Sequence, residues 1–88
     1  MTDTEVCRKA VSTWGVDNQL DQAIEECAEL ICAIRHHRRG RSCSLVEEIA
    51  DVEIMISQLR LIFGAGVIDA VKKAKLARLA EKLEEQPC

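Results

Sequence analysis

Two pairs of acidic side chains, each with members three residues apart, are the strongest chemical signal in the sequence. Glu26 and Glu29 form one pair, and Glu48 and Asp51 form the other. Residues three apart lie on the same side of an α-helix, so each pair would project its carboxylates from one face. If two such helices pack side by side, the four carboxylates converge and repel one another. A divalent cation that prefers oxygen ligands relieves this repulsion, and Mg²⁺, which takes further ligands from substrate phosphates, is the expected ion.

The opposing interpretation is that these acids form ordinary solvated helix faces, which are common. Glu48 argues against it, because this residue falls inside the edge of an apolar stripe on its own helix. A charged carboxylate on an apolar face is costly unless it is paired, bound to a metal or protonated. The residues of the stripe are Ile49, Val52, Ile56, Leu59 and Phe63.

Four helices must position these acids. The composition is 48% hydrophobic and 31% charged with a single proline, which excludes disordered and collagen-like chains. Apolar residues recur at helical spacing between the glycines, and no alternating run is long enough for a strand. Thr2 with Glu5, and Ser44 with Glu47, have the spacing of helix capping boxes. We therefore expect one all-α domain over residues 1–88, with helices at about 4–14, 18–39, 45–63 and 67–84.

The hydrophobic core of such a chain would be thin, because Trp14 and Phe63 are its aromatic residues and much of the remainder is alanine. A chain this short buries a modest share of its surface, so we expect a homo-oligomer that completes the core. On the second helix the apolar stripe predicted to face the core consists of Leu20, Ile24, Cys27, Ile31 and Ile34.

Charge and cysteine usage restrict the partners and the compartment. A net charge of -3 argues against a general nucleic-acid or membrane-surface binder. The five cysteines form no CxxC pair, and the N-terminal residues do not have the pattern of a signal peptide. No apolar run reaches the length of a membrane span. We expect a soluble cytoplasmic protein with reduced cysteines that are either small core residues or inert thiols, except Cys88, which should be exposed.

Two segments of the sequence resemble the MazG-like, all-α nucleoside triphosphate pyrophosphohydrolases, particularly the short phage and prophage members. The resemblance extends from about Trp14 to Leu83. It rests on an ExxE motif in the context EECAEL and an ExxD motif in the context EIADV, in that order on successive helices. It implies a four-helix bundle completed by assembly into a homodimer or homotetramer.

The resemblance also implies the reaction and the site. The reaction is hydrolysis of a ribo- or deoxynucleoside triphosphate between the α and β phosphates, which yields the monophosphate and pyrophosphate. Mg²⁺, or alternatively Mn²⁺, would be held by the four acids named above. Glu48 would also count as catalytic, with Glu25 as a candidate helper base. Lys75 and Arg78 match the basic residues near the triphosphate, although an ordinary solvated helix face is an equal alternative.

Several other features have two interpretations. Gln19 either contacts the base of the substrate or lies in the first turn of the second helix. Trp14 is expected to fill the core rather than to stack on a base. The basic run at residues 35–41 is expected to stabilise a helix C-terminus rather than to bind phosphate. Two other functions remain open: a phosphoribosyl-ATP pyrophosphatase-like enzyme, and a non-catalytic helical interaction or regulatory module.

Overall fold

The computed structural model describes residues 1–86, so the expected exposure of Cys88 lies outside the described residues. Over this range the chain forms four α-helices and no strand, which confirms the all-α prediction. The helices are α1 (Asp3–Trp14), α2 (Val16–Arg38), α3 (Leu45–Phe63) and α4 (Ala65–Glu85).

Two glycines set the sharpest helix boundaries. Gly15 and Gly64 have φ values of 91° and 101°, which residues with a Cβ rarely adopt, so each allows one helix to end and the next to begin within a single residue. At the start of α1 the backbone N–H of Glu5 donates to Thr2 Oγ1 at 3.1 Å, as the capping pattern predicts. Ser44 precedes α3, but its side chain makes no capping hydrogen bond, so this predicted cap is not formed.

An antiparallel contact between α2 and α3 forms the centre of the fold, and α1 packs against both helices. A hydrogen bond joins Gln19 to Gln58 at one end of this contact, and Glu29 lies near Glu48 at the other end. The few buried residues are small, flexible or carry an amide, which lets the helices approach closely. They are Cys7, Gln19, Ala23, Ala33, Met55 and Gln58.

The predicted core stripe of α2 is wrong for a single chain. Ile24 is 68% exposed and Ile31 is 57% exposed, whereas Ala23 and Ala33 are buried against the rest of the chain. The face of α2 that packs against α3 is therefore not the stripe of large apolar residues. It is the side of the helix that carries alanines, an amide and acids. Helical spacing identifies an apolar face, but it does not say which partner covers that face.

α4 departs from the other three helices. The chain bends by 114° between α3 and α4. α4 contacts only α3, contains no buried residue, and is anchored near its start by an ion pair between Arg60 and Asp69 at 2.8 Å. Three helices of the described chain thus pack together while the fourth extends outward, so one copy does not form the expected four-helix bundle. The Cα radius of gyration is 16.3 Å, against about 12 Å for a compact domain of this length.

In the described part of the chain no single helix is long and apolar enough to cross a membrane. α3 and α4 satisfy that test only when taken together, across the bend that separates them.

Candidate metal centre between α2 and α3

The antiparallel pairing of α2 and α3 brings three of the predicted acids together. Glu26 and Glu29 lie on successive turns of α2, and Glu48 lies in the first turn of α3 opposite them. One carboxylate oxygen from each residue can be chosen so that all three oxygens lie within 4.8 Å of one another. The i, i+3 spacing and the helix pairing together produce this acidic cluster, which we define as Glu26, Glu29 and Glu48.

Two oxygens of the acidic cluster are buried without a partner. Oε2 of Glu26 and Oε2 of Glu48 are inaccessible to solvent and accept no hydrogen bond from the described residues. Gln22 Nε2 donates to the other oxygen of Glu26 at 2.9 Å, which fixes that carboxylate on the helix. The single ion pair over residues 1–86 joins Arg60 to Asp69, so no basic side chain there compensates the cluster. A buried acceptor without a partner is costly, and a bound cation would remove that cost.

The pKa of Glu26 reflects the same environment. Burial, which penalises the charged form, raises the pKa of this carboxyl above its usual range, and the neighbouring charges of Glu29 and Asp51 raise it further. The hydrogen bond from Gln22 opposes this shift, because it stabilises the ionised form. The carboxyl of Glu26 is therefore harder to ionise in the folded chain than in water.

The geometry fits a hard divalent cation. Mg²⁺ binds oxygen at 2.0–2.1 Å in octahedral geometry, so two oxygens that share one ion lie at most about 4.2 Å apart. The three carboxylate oxygens lie within 4.8 Å of one another, so small side-chain adjustments would bring them onto one ion. All three ligands are carboxylates, which suits Mg²⁺ or Mn²⁺ and not the softer metals that prefer thiolate or imidazole.

The remaining predicted acids lie at the edge of this centre. Asp51 is exposed and is not a member of the acidic cluster, although it is near enough to raise the pKa of Glu26. Glu25 is exposed and lines a pocket of about 680 Å³ on the N-terminal side of the cluster, next to Gln22. Asp51 can therefore act through its charge, and Glu25 is placed where it could accept a proton at the edge of the site.

Lys75 and Arg78 are not brought to the acids of their own chain. Both are exposed residues of α4, which makes no contact with α2. Lys75 lines an apolar groove on α4 with Val71 and Leu79. Any role for these two basic residues at the acidic cluster requires the α4 of another copy.

Two pockets border the acidic cluster on opposite sides. The pocket of about 680 Å³ lies toward the N-terminus of α2 and contains Gln19 and Gln22. A second pocket of about 360 Å³ lies toward the C-terminus of α2, where Glu29 and Glu48 meet His36 and Ser44.

Sequence reasoning missed the partners that hold two site residues in place. Gln19 is buried in the N-terminal half of α2, and its Nε2 donates to Gln58 Oε1 at 2.6 Å. The contact of Gln22 with Glu26 was detectable, because residues four apart on a helix are neighbours. The role of Gln58 was not detectable from the sequence, because the Gln58 contact depends on how α2 and α3 pair.

Three secondary expectations have mixed outcomes. Trp14 is 61% exposed, so the prediction that it fills the core is wrong for one chain. Cys7 is buried, as expected of a small core residue, and Cys27, Cys32 and Cys43 are exposed free thiols. The basic run forms the last turn of α2 and the turn that follows, where backbone N–H groups of residues 39–41 donate to carbonyls of residues 35–37. Basic side chains at that end suit the helix dipole.

Comparison of the chain with protein families, with curated proteins and with solved structures finds no match.

Proposed function

We propose that this chain is a Mg²⁺-dependent pyrophosphohydrolase of the MazG-like type, which hydrolyses a ribo- or deoxynucleoside triphosphate to the monophosphate and pyrophosphate. The observation that carries the proposal is the acidic cluster, whose buried Glu26 and Glu48 oxygens have no partner in the described chain. A structural role for three converging carboxylates is hard to justify, because like charges at this separation destabilise the fold. A site that binds metal and phosphate gives these residues a function.

In this proposal Glu26, Glu29 and Glu48 hold the metal, and Asp51 contributes charge or a ligand from the rim. When bound, Mg²⁺ would polarise a phosphoryl oxygen and neutralise charge on the departing pyrophosphate. Mn²⁺ would serve as an alternative, since it also favours carboxylate ligands.

The side chains of this protein have distinct tasks in the reaction. Gln22 holds the Glu26 carboxylate through its 2.9 Å hydrogen bond, so that the other oxygen faces the cluster. Glu25, exposed at the adjoining pocket, is the group we assign to accept a proton from the attacking water. Water adds to a phosphorus of the α–β anhydride, and the bond from that phosphorus to the bridging oxygen breaks. The electron pair of the broken bond stays on the bridging oxygen, which leaves with the departing phosphate group.

We further propose that the active form is a homodimer or homotetramer. The stripe of α2 that contains Ile24 and Ile31 is exposed, and the apolar residues of α4 have no partner in one copy. Covering these faces with a second copy would remove apolar surface from water at about 25 cal/mol per Å². Assembly would also let Lys75 and Arg78 of one copy approach the acidic cluster of another, where they could bind the triphosphate.

The direct test is pyrophosphate release from a panel of ribo- and deoxynucleoside triphosphates with Mg²⁺. EDTA and the Glu48→Gln variant should each abolish release, whereas Glu47→Gln, an exposed neighbour on α3, should retain it. Phosphoribosyl-ATP belongs in the panel, because cleavage of that compound alone would identify the related pyrophosphatase. Absence of release from every compound would leave the interaction module as the better description.

A further inference from the structure

The pocket on the N-terminal side of the acidic cluster has the features of a nucleobase site. Trp14 and Met55 provide apolar surface, and the buried amides of Gln19 and Gln58 line the same pocket. Asn18 Nδ2 donates to the Trp14 carbonyl oxygen at 2.7 Å, which ties the end of α1 to α2, and the Trp14 side chain lines the pocket. The site therefore combines a stacking surface with a buried polar edge, as base-binding pockets do.

The amide pair leaves a specific hydrogen-bonding pattern unused. Gln19 and Gln58 are 6% and 4% exposed, and one hydrogen bond of 2.6 Å joins them. The remaining Oε1 of Gln19 and Nε2 of Gln58 have no partner in the described chain, and both reach solvent. Exchanging the amide atoms of both residues only reverses the bond, so either orientation leaves one acceptor and one donor unused in the amide pair. A base edge with a neighbouring donor and acceptor is complementary to this pair.

The other polar groups of the pocket determine which ligand fits. Asp21 and Glu25 are acceptors, and Asn18 and Gln22 each already donate one of their two amide N–H groups within the chain. Asp21 lies one helical turn farther from the acidic cluster than Glu25 and would repel a phosphate group, so that end of the pocket suits the uncharged end of a nucleotide. Glu25 lies on the side nearer the cluster. Excess acceptors favour a base that carries an exocyclic amino group, because Asp and Glu accept from such groups.

We propose that this pocket binds the base of the substrate and prefers cytosine or adenine over uracil or thymine, with Trp14 stacked on the ring and Gln19 and Gln58 on its amino-bearing edge. Identification of the ligand as a nucleotide rests on the proposed function. Gln19 and Glu26 are seven residues apart on α2, about 10 Å of helix rise, so one nucleotide can reach from the amide pair to the acidic cluster.

The test uses Trp14 as the reporter, because it is the single tryptophan in the chain. The full-length protein is titrated in EDTA with dCMP, dAMP, dUMP or dTMP, with inorganic phosphate as the probe for phosphate binding alone. We expect saturable quenching of Trp14 fluorescence by dCMP or dAMP, binding at least tenfold weaker for dUMP and dTMP, and no quenching by phosphate. Gln58→Leu should weaken binding tenfold or more, whereas Ser57→Ala, on the exposed side of α3, should not.

No saturable quenching by any nucleotide, or equal binding of all four bases, would overturn the base site without any variant being needed. A folded Gln58→Leu protein that binds dCMP or dAMP as tightly as the parent would also overturn it. These failures differ from failure of the proposed function. Pyrophosphate release without base discrimination would remove only the pocket assignment, and base discrimination without pyrophosphate release would remove only the hydrolase.

Discussion

Glu26 and Glu48 face each other across the contact between α2 and α3, and each buries one carboxylate oxygen that has no hydrogen-bond partner in the described chain. Most buried polar atoms in folded proteins are satisfied, so two unsatisfied acceptors in one place call for an explanation. A cation shared by the acidic cluster would account for both of them.

Mg²⁺ should stabilise the protein through Glu48. A ligand present at a hundred times its Kd contributes about 2.7 kcal/mol, which corresponds to a rise in Tm of about 10 °C or more for a domain of this size. Glu48→Gln should lose this rise and should be at least as stable as the parent in EDTA, because it removes a buried charge. Melting curves with and without Mg²⁺ measure both effects. Glu47→Gln is the matched control, and an equal Mg²⁺ response in the two variants would contradict the assignment.

The stability of the metal-free protein should fall as the pH rises above the ordinary pKa of Glu26. Burial raises the pKa of this carboxyl from 4.5, so over that range the folded state binds more protons than the unfolded state. The contribution of Glu26 protonation to the free energy of unfolding is fully present below the ordinary pKa of the group. It is lost as the pH rises through the raised pKa of the folded state. Urea unfolding in EDTA at a series of pH values should show the decline, and Glu26→Gln should flatten it. The exposed Glu53→Gln variant should keep the parent slope, and an identical slope in Glu26→Gln would refute this account.

Gln22 should act on the reaction through Glu26. Its hydrogen bond favours the ionised carboxylate, so Gln22→Leu should raise the pKa of Glu26 further. The acidic limb of the pH profile for pyrophosphate release should then move to higher pH, and more Mg²⁺ should be needed for half-maximal rate. A uniform loss of rate with an unchanged profile would mean that Gln22 has a packing role only.

The exposed apolar stripe of α2 should be an interface between copies. Ile31 is 57% exposed there, and Ile31→Glu would place a charge in the contact. Light scattering after size exclusion should show an oligomer for the parent and a smaller species for this variant. Val46 is 80% exposed outside the stripe, and Val46→Glu should leave the assembly unchanged. A monomeric parent would contradict the proposed oligomer.

Complementation between subunits tests the role of α4. Because α4 does not contact α2, Lys75 can serve the acidic cluster only in trans. Glu48→Gln and Lys75→Ala proteins should each be inactive, but after mixing and exchange they should recover about a quarter of the parent activity if the sites are shared between two subunits. Recovery of no activity from folded, exchanging proteins would exclude Lys75 from the site.

Local features of the fold were predictable from the sequence. Glycine positions, apolar spacing and the Thr2 cap depend on neighbouring residues, and they gave the four helices with boundaries within a few residues. The covered face of α2 was not predictable in this way. Its isoleucines form the more apolar stripe, yet Ala23 and Ala33 face the rest of the chain because small residues let α2 and α3 approach closely.

The candidate site was also predictable only in part. The spacing of the acids placed Glu26 and Glu29 on one face. The apolar stripe of α3 did not identify the face that packs against α2, because Ile49, Ile56 and Phe63 are exposed whereas Met55 and Gln58 are buried. The buried amide of Gln58 and the exposure of Trp14 depend on how helices pair and where α1 ends. The distance of Lys75 from the acids depends on the bend after α3, which helical periodicity does not encode.

The most direct test of the central claim is pyrophosphate release from nucleoside triphosphates with Mg²⁺, measured for the parent, Glu48→Gln and Glu47→Gln proteins. The account predicts release of pyrophosphate, and not orthophosphate, by the parent and by Glu47→Gln, and its loss in Glu48→Gln and in EDTA. Absence of release across the panel, together with a Tm that does not respond to Mg²⁺, would contradict the account and leave the three carboxylates without a catalytic role.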